Sequence, residues 1–215
     1  KLNKRTLDLM LGKKIYKGMF FQLDSKDGKY KNIDTKKETF QVSSLNYRKI
    51  KDLEFDDLFL RVIKSKILKI FSTKYIGKNV SCMRAMILSK PAKASSELEF
   101  HQDVSGNWNM SGKPTFTFWL SLNGANKKNG CLKIIENSHK YGVLDKGHFL
   151  TKKKTFLRNK KIKFINLLPG EAIIFNNHLL HGSGKNYTSK MRLAFTACLM
   201  SSNIYHKKYK KKYPK

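Results

Sequence analysis

Residues 79–200 carry the pattern that most restricts the fold, because apolar and polar side chains alternate there in short runs. In residues 115–122 the large apolar side chains share one face of an extended chain, and Thr117, Trp119 and Ser121 share the other. The same period of two runs through residues 191–200. Short strands of this kind, separated by Gly and Pro turns, predict a mainly β fold of the sandwich or jelly-roll type, with flanking helices.

The 215 residues are enough for one domain with a sizeable core. We expect a single domain over residues 1–215. Its parts are N-terminal strands with a supporting helix in residues 1–78, a barrel core in 79–200 and a basic tail in 201–215.

The N-terminal part is the hardest to interpret. Residues 52–71 repeat apolar side chains at helical spacing, which predicts a helix packed on a sheet. Residues 15–23 and 39–45 are candidate short strands on either side of a polar, turn-rich stretch at 24–37. The Lys- and Tyr-rich residues 207–215 predict a frayed, solvated end.

The formal net charge of +30 is extreme and comes mainly from lysine. One interpretation is an anionic partner such as nucleic acid. The other is a compositional bias, since Lys, Ile and Asn are all abundant and the lysines are scattered rather than gathered on one stripe. A non-enzymatic basic module that binds nucleic acid or another polyanion is therefore the alternative function.

The three cysteines, Cys82, Cys131 and Cys198, are widely spaced and odd in number, which argues against disulfides and a zinc knuckle. We expect reduced core thiols. No apolar run approaches the roughly 18 residues of a membrane span. Residues 1–14 are basic but lack the continuous apolar stretch of a signal peptide. These features favour an intracellular, cytoplasmic protein without a membrane span.

The sequence His101-Gln102-Asp103 is a candidate metal motif. On a strand, His101 and Asp103 would share one face, with Gln102 turned away. Together with a distant histidine they can bind one divalent iron and leave three coordination positions open. Either His178 or His181 could be the third metal ligand. The glycines that follow His181 favour His181, because glycine lets the backbone turn sharply and approach a metal ion.

Arg192 shares its strand face with three small residues, Ala194, Thr196 and Cys198, whereas the opposite face is apolar. A buried arginine without an anionic partner would be costly, and few acidic residues lie nearby in sequence. A dicarboxylate such as 2-oxoglutarate is therefore the expected partner. The alternative is an exposed side chain, as most arginines are.

The order of these motifs resembles the phytanoyl-CoA dioxygenase family of iron(II)/2-oxoglutarate oxygenases. The similarity covers residues 79–200 well and the N-terminal part poorly. Asn137 stands where the family usually has glycine. The segments that carry the resemblance are residues 100–103, 115–122, 129–140, 168–172, 181–186 and Arg192.

The resemblance implies a double-stranded β-helix, which is a jelly-roll or cupin-like barrel. It implies three ligands for Fe(II), namely His101, Asp103 and His181. It implies that 2-oxoglutarate is held by Arg192 with help from Ser183, and, more loosely, that Trp119 and Met86 line its pocket. Because Asp103 is retained, halogenation is disfavoured.

The activity implied is that of a dioxygenase that uses Fe(II), 2-oxoglutarate and O₂ to hydroxylate an unactivated C–H bond, with release of succinate and CO₂. Desaturation and ring closure stay open. Lysines in the loops at residues 104–113 and 142–162 hint at an anionic small-molecule substrate. A cupin-like isomerase is a third interpretation, but it would favour several His with a Glu as ligands and leave Arg192 without a role.

Overall fold

The structure is a computed structural model, and it describes residues 1–16, 19–24, 31–34, 43–93, 96–104, 109–145, 149–150, 157, 159–210 and 213. Its helices are α1 Leu2–Met10, α2 Asp57–Ile63 and α3 Lys66–Tyr75. Its strands are β1 Phe20–Leu23, β2 Asn32–Asp34, β3 Tyr47–Lys51, β4 Val80–Lys90, β5 Leu98–His101, β6 Phe116–Ser121, β7 Leu132–Ile135, β8 Ile162–Ile165, β9 Ala172–Asn176, β10 His181–Ser183 and β11 Arg192–Ser201.

The strands form two antiparallel sheets. The large sheet has the order β2-β1-β3-β4-β11-β6-β9, and the small sheet has the order β5-β10-β7-β8. This confirms the prediction of a mainly β, double-stranded fold with flanking helices. Within the described residues the ladders do not close the two sheets into a barrel; the sheets face each other as separate layers.

The alternation in β11 divides the core in two. Leu193, Phe195 and Ala197 point towards the helices, where the ring of Phe195 lies 4.9 Å from that of Phe59 in α2. Ala194 points the other way, into a second cluster that contains residues of both sheets. The strand faces predicted from the period of two are therefore confirmed, and the face that carries Arg192 is turned towards the small sheet.

The single helix expected over residues 52–71 is broken, and that prediction was wrong in detail. A 3₁₀ turn over Leu53–Phe55 precedes α2, and α2 and α3 are separate. Asp56 and Ser65 adopt extended backbone at the two helix starts, and the Asp56 carboxylate accepts the Leu58 N–H at 2.9 Å. Short polar side chains favour such N-cap positions over helix interiors. No described helix has the length and apolar character needed to cross a membrane.

The N-terminal region contains elements that the sequence pattern did not show. Helix α1 was not expected, and it forms because Leu9 and Met10 are buried in the helix-side core. Strand β1 lies inside the predicted segment 15–23, whereas β2 falls in the stretch taken as turns. Most of the predicted strand at 39–45 lies outside the described residues.

The basic tail begins as an ordered segment rather than a frayed end. The Lys207 N–H donates to Asn109 O at 2.8 Å, and the Tyr213 carbonyl accepts the Ser81 hydroxyl at 3.2 Å. These contacts tie the described part of residues 201–213 to β4 and to the segment before β6. The prediction of a frayed end is therefore wrong at Lys207 and Tyr213, whereas residues 207–210 are exposed, as expected of a solvated tail.

Candidate active site

Three predicted ligands lie together at the junction of β5 and β10. His101 ends β5 and pairs with His181, the first residue of β10. The strand ends at His101, so Asp103 lies in the turn that follows and not on the strand, as the sequence had suggested. One donor atom from each of the three residues lies within 4.8 Å of the other two. All three side chains are buried.

Both imidazoles are oriented by backbone carbonyls. The Nδ1 atom of His101 lies 2.9 Å from Glu99 O, and the Nδ1 atom of His181 lies 2.9 Å from Leu179 O. A carbonyl oxygen can only accept, so each Nδ1 carries a proton and Nε2 is the ring nitrogen on the side of the Asp103 carboxylate. The Nε2 atoms lie 3.9 and 3.7 Å from the Asp103 carboxylate. A hydrogen bond from Nδ1 to a backbone carbonyl is typical of histidines that bind metal ions through Nε2.

The Asp103 carboxylate is held by groups from the large sheet. Arg84 donates from Nη2 to Asp103 Oδ1 at 2.8 Å. The Thr117 hydroxyl lies 3.3 Å from Asp103 Oδ2 and donates to Asn177 Oδ1 at 2.7 Å. The Asn177 carbonyl accepts the Asp103 N–H at 2.8 Å. The sequence analysis missed Arg84, Thr117 and Asn177, because their role depends on contacts between distant strands.

His178 lies outside the ligand cluster. It is half-buried, and its backbone N–H donates to Asn176 Oδ1 at 2.8 Å. Gln102 is turned away from the ligands, as expected. Its amide donates to the carbonyls of Gly142 and His178 and accepts the Leu144 N–H at 2.8 Å, so it fixes the turn that carries Asp103.

Gly182 allows β10 to approach β5 closely. A Cβ atom added to Gly182 would lie 2.6 Å from Leu98 O, closer than real carbon atoms approach a backbone oxygen. The same addition at Gly184 would meet nothing within 4 Å. Only the first of these glycines is therefore required to bring His181 beside His101.

Arg192 is buried in the pocket that contains the three ligands, and its side chain is 2% exposed. Nη1 donates to Leu88 O at 2.9 Å, and Nη2 donates to Gly130 O at 3.1 Å. The guanidinium lies over the Trp119 ring, 5.4 Å from its centroid. Burial lowers the pKa of Arg192 to about 10.

The Nε atom of Arg192 has no hydrogen-bond partner in the part of the chain that the structure describes, and none of the ion pairs there includes its guanidinium. Ser183, Met86 and Trp119 line the same pocket. Buried polar groups are usually satisfied, so the buried Nε donor of Arg192 is an exception among the described residues.

Two imidazoles and one carboxylate between the sheets of a double-stranded β fold define a candidate metal centre of the two-histidine, one-carboxylate class. The profile of one protein family, "Phytanoyl-CoA dioxygenase (PhyH)", matches residues 22–194. The chain belongs to this family. Oxygenases of the family use Fe(II), 2-oxoglutarate and O₂.

Curated relatives are distant in sequence. The chain is 24% identical over 191 residues to peroxisomal phytanoyl-CoA dioxygenase of Homo sapiens. The matched region covers 82% of this chain and 56% of the human protein. It is 28% identical over 127 residues to phytanoyl-CoA dioxygenase of Arabidopsis thaliana, covering 56% of this chain and 44% of the plant protein. The chain thus spans about half the length of these relatives.

Solved structures share the fold. EctD from S. alaskensis with bound Fe superposes with a TM-score of 0.64 at 20% identity, over 80% of this chain and 63% of EctD. AviO1 from Streptomyces viridochromogenes Tue57 superposes with a TM-score of 0.62 at 15% identity, over 93% of this chain and 80% of AviO1. At these identities the likeness concerns the architecture alone.

Proposed function

We propose that this protein is an Fe(II)- and 2-oxoglutarate-dependent dioxygenase that hydroxylates an unactivated C–H bond of a small molecule, with release of succinate and CO₂. The observation that supports this most strongly is the pairing of two features in one pocket. A buried His-Asp-His cluster faces the same cavity as a buried arginine whose Nε lacks a protein partner.

The donor set of the cluster fits Fe(II). His101 and His181 would bind through Nε2, because their Nδ1 atoms are engaged by backbone carbonyls. Asp103 would bind through one carboxylate oxygen while Arg84 holds Oδ1. Two imidazoles and one carboxylate leave coordination positions for a cosubstrate and O₂.

Arg192 would hold the distal carboxylate of 2-oxoglutarate. Two of its five N–H groups bond to Leu88 O and Gly130 O and fix the guanidinium plane, and the remaining three would be available to a ligand carboxylate. The Ser183 hydroxyl would supply a further hydrogen bond, and Trp119 and Met86 would form the wall. An anion bound here would also relieve the cost of the buried cation.

When bound, the iron and its cosubstrate would supply an oxidant strong enough to remove hydrogen from carbon. The protein orients the candidate metal ligands and shields the reacting groups from water. The carbonyls behind His101 and His181 keep both rings in one tautomer, and Arg84, Thr117 and Asn177 keep Asp103 in place. Apolar walls that include Leu98, Leu132 and Phe175 exclude water from the reacting groups.

The decisive experiment measures metal binding and succinate formation separately. Wild-type protein should bind one Fe(II) or Mn(II) per chain and release succinate from 2-oxoglutarate in the presence of O₂. His101→Ala and Asp103→Ala should lose both properties, whereas His178→Ala should keep them because it lies outside the cluster. Wild-type protein that binds neither metal nor 2-oxoglutarate would refute the proposal.

The substrate is proposed to be small, and the excess of positive charge favours an anionic one. A polyanion-binding module remains the competing function. It predicts nucleic-acid affinity that falls steeply with salt and survives His101→Ala. Retained affinity of this kind together with absent metal binding would select it over the dioxygenase.

We also propose a reducing, cytoplasmic setting. Cys82, Cys131 and Cys198 are buried free thiols, which suits a compartment where cysteines stay reduced. Four mammalian relatives are peroxisomal by name. Imaging of the tagged chain in its own cells distinguishes the two compartments.

A further inference from the structure

Helix α3 carries large apolar side chains on its exposed face. Ile67 and Ile70 are 61% and 58% exposed, and they lie three residues apart, so they are neighbours on the helix surface. The other face packs inward: Leu68 and Ser72 are buried, and Leu68 belongs to the helix-side core. Exposed apolar side chains that adjoin one another and are rimmed by polar groups are typical of interaction surfaces.

Lysines surround the two isoleucines. Lys66, Lys69 and Lys74 are exposed on the same helix, and none of the ion pairs among the described residues includes them. Lys66, Ile70 and Lys74 follow one another at four-residue spacing, so they form one row along the helix. The Lys74 ammonium also lies 5.6 Å from the ring centroid of its exposed neighbour Tyr75. The name α3 face is used below for Lys66, Ile67, Lys69, Ile70 and Lys74.

Acidic residues are missing from the sequence around this face. Between Asp57 and Glu97 the chain contains no Asp or Glu. Glu54 lines a cavity together with Lys69, but it is buried, and its carboxylate accepts the Ala85 N–H at 3.0 Å. The exposed side chains of α3 therefore combine positive charge with apolar surface.

We propose that the α3 face binds the surface of an anionic lipid membrane. Helices with Lys beside large apolar side chains lie in the plane of a membrane, with the apolar groups at the boundary between headgroups and acyl chains. Ile67 and Ile70 would enter this boundary, while the lysine ammonium groups stay with the anionic headgroups. The inference does not depend on the proposed dioxygenase function, because α3 packs on the face of the large sheet opposite the pocket.

The charge and shape of the α3 face favour a membrane over other partners. A second copy of this chain would bring lysines against lysines and join two molecules of net charge +30, which is unfavourable. Nucleic acid would attract the lysines, but its phosphates give the isoleucines no role. An acidic protein would need a groove that fits this helix. A fluid bilayer uses both the charge and the apolar side chains without such a groove.

The first test measures binding of the full chain to vesicles by co-sedimentation. Phosphatidylcholine vesicles that contain about 30% phosphatidylserine should bind wild type at least about tenfold more tightly than vesicles of phosphatidylcholine alone. The combined change Lys66→Gln and Lys74→Gln should weaken this binding about 25-fold, or about fivefold for each lysine. The matched control is Lys128→Gln with Lys140→Gln, two exposed lysines in the 3₁₀ turns before and after β7. The control should stay within about twofold of wild type.

The isoleucines distinguish insertion into the membrane from attraction by charge alone. Ile67→Gln with Ile70→Gln keeps the charge of the face and a good helix former, and it should weaken binding to the anionic vesicles about tenfold. Leu168→Gln is the matched apolar control, because Leu168 is 68% exposed in the turn before β9. It should bind as wild type does. Thermal unfolding verifies that each variant is folded.

A fluorescent label reports the depth of the α3 face in the membrane. Cys82, Cys131 and Cys198 are buried, so a polarity-sensitive fluorophore would attach selectively to the thiol of Ile70→Cys. Its emission should shift to shorter wavelength with anionic vesicles and stay unchanged with a nucleic-acid duplex, which offers no apolar interior. A label at Leu168→Cys should show no shift with either partner.

Three results would overturn the inference. The first is equal affinity of wild type for anionic and neutral vesicles. The second is an equal loss in the α3 lysine pair and the control lysine pair, which would show attraction by net charge alone. The third is wild-type affinity in the isoleucine pair, which would indicate a general affinity for polyanions. Mn(II) and 2-oxoglutarate binding, measured in parallel, should be the same in the α3 variants and wild type, so failure of the dioxygenase proposal is recognised separately.

Discussion

Replacing Arg192 by Gln tests the proposed cosubstrate site. In the structure Arg192 uses one N–H of each Nη on a backbone carbonyl, and three of its five N–H groups are left, including the unpaired Nε. A carboxylate could accept two of these. Gln at this position removes the charge but keeps one side-chain amide donor.

The expected effect is large. Hydrogen bonds to charged groups contribute about 1.5–3 kcal/mol each. The variant loses two such hydrogen bonds to the 2-oxoglutarate carboxylate, and the Gln amide replaces part of one. The net loss of binding free energy is about 3 kcal/mol, which raises the dissociation constant of 2-oxoglutarate about 100-fold or more. Metal affinity should stay within about threefold of wild type, because Arg192 is not among the clustered ligands.

The assay is a thermodynamic cycle under anaerobic conditions with Mn(II). Wild type and Arg192→Gln are each titrated with 2-oxoglutarate and with 2-oxobutyrate, which has the same 2-oxo acid end but no distal carboxylate. Wild type should prefer 2-oxoglutarate by roughly 100-fold, and the variant should bind both within about threefold. A variant that keeps the full preference would refute the assignment of Arg192. Thermal unfolding of both proteins verifies that the variant is folded.

Two further predictions concern stability and close packing. Asp56 is fully buried and accepts hydrogen bonds from Arg5 at 2.5 Å and Tyr16 at 2.6 Å, so Asp56→Asn should lower the free energy of unfolding by about 2–3 kcal/mol in urea titrations. Burial alone would raise the pKa of Asp56, but the hydrogen bonds from Tyr16 and Arg5 lower it overall. The contribution of Asp56 to the free energy of unfolding is therefore present above the unfolded-state pKa and is lost as pH falls through the folded-state pKa. Gly182→Ala should reduce both stability and Mn(II) affinity, because β10 can no longer approach β5 as closely, whereas Gly184→Ala should change neither.

The controls for these two predictions come from the same contacts. Tyr16→Phe removes the hydrogen bond to Asp56 and the one that the Tyr16 hydroxyl accepts from Arg5, but it keeps the Asp56 charge, so it should cost less than Asp56→Asn, about 1 kcal/mol. If Asp56→Asn shows the same acid sensitivity as wild type, Asp56 is not the group that titrates. If Gly182→Ala retains wild-type metal affinity, the close approach of the strands does not position His181.

The strands of residues 79–200 were predictable because their signal is local. In β6 and β11 the period of two matches the strand pleat, and it identified both the core face and the pocket face. The break between α2 and α3 was not predictable from apolar spacing, because the pattern continues across Ser65. Ile67 and Ile70, which extend that pattern, are 61% and 58% exposed.

The substitution at Asn137 is explained by the backbone. The φ angle of Asn137 is 59°, in the left-handed region that glycine adopts most readily. Asparagine tolerates this conformation better than most other residues. The departure from the family motif therefore preserves the turn before the 3₁₀ segment Ser138–Tyr141.

The sequence by itself determined the candidate ligands, the faces of the long strands and the place of Arg192 on the face opposite the helix-side core. These follow from residue chemistry and from a period that each strand carries alone. Only the tertiary structure decided that His181 rather than His178 joins the cluster and that Arg84 and Asn177 hold Asp103. A β-bulge in the β4–β11 ladder, with Met83 as the extra residue, places Arg84 at the pocket while Cys82 packs in the helix-side core. A bulge depends on how two distant strands pair, and no property of one strand alone specifies that pairing.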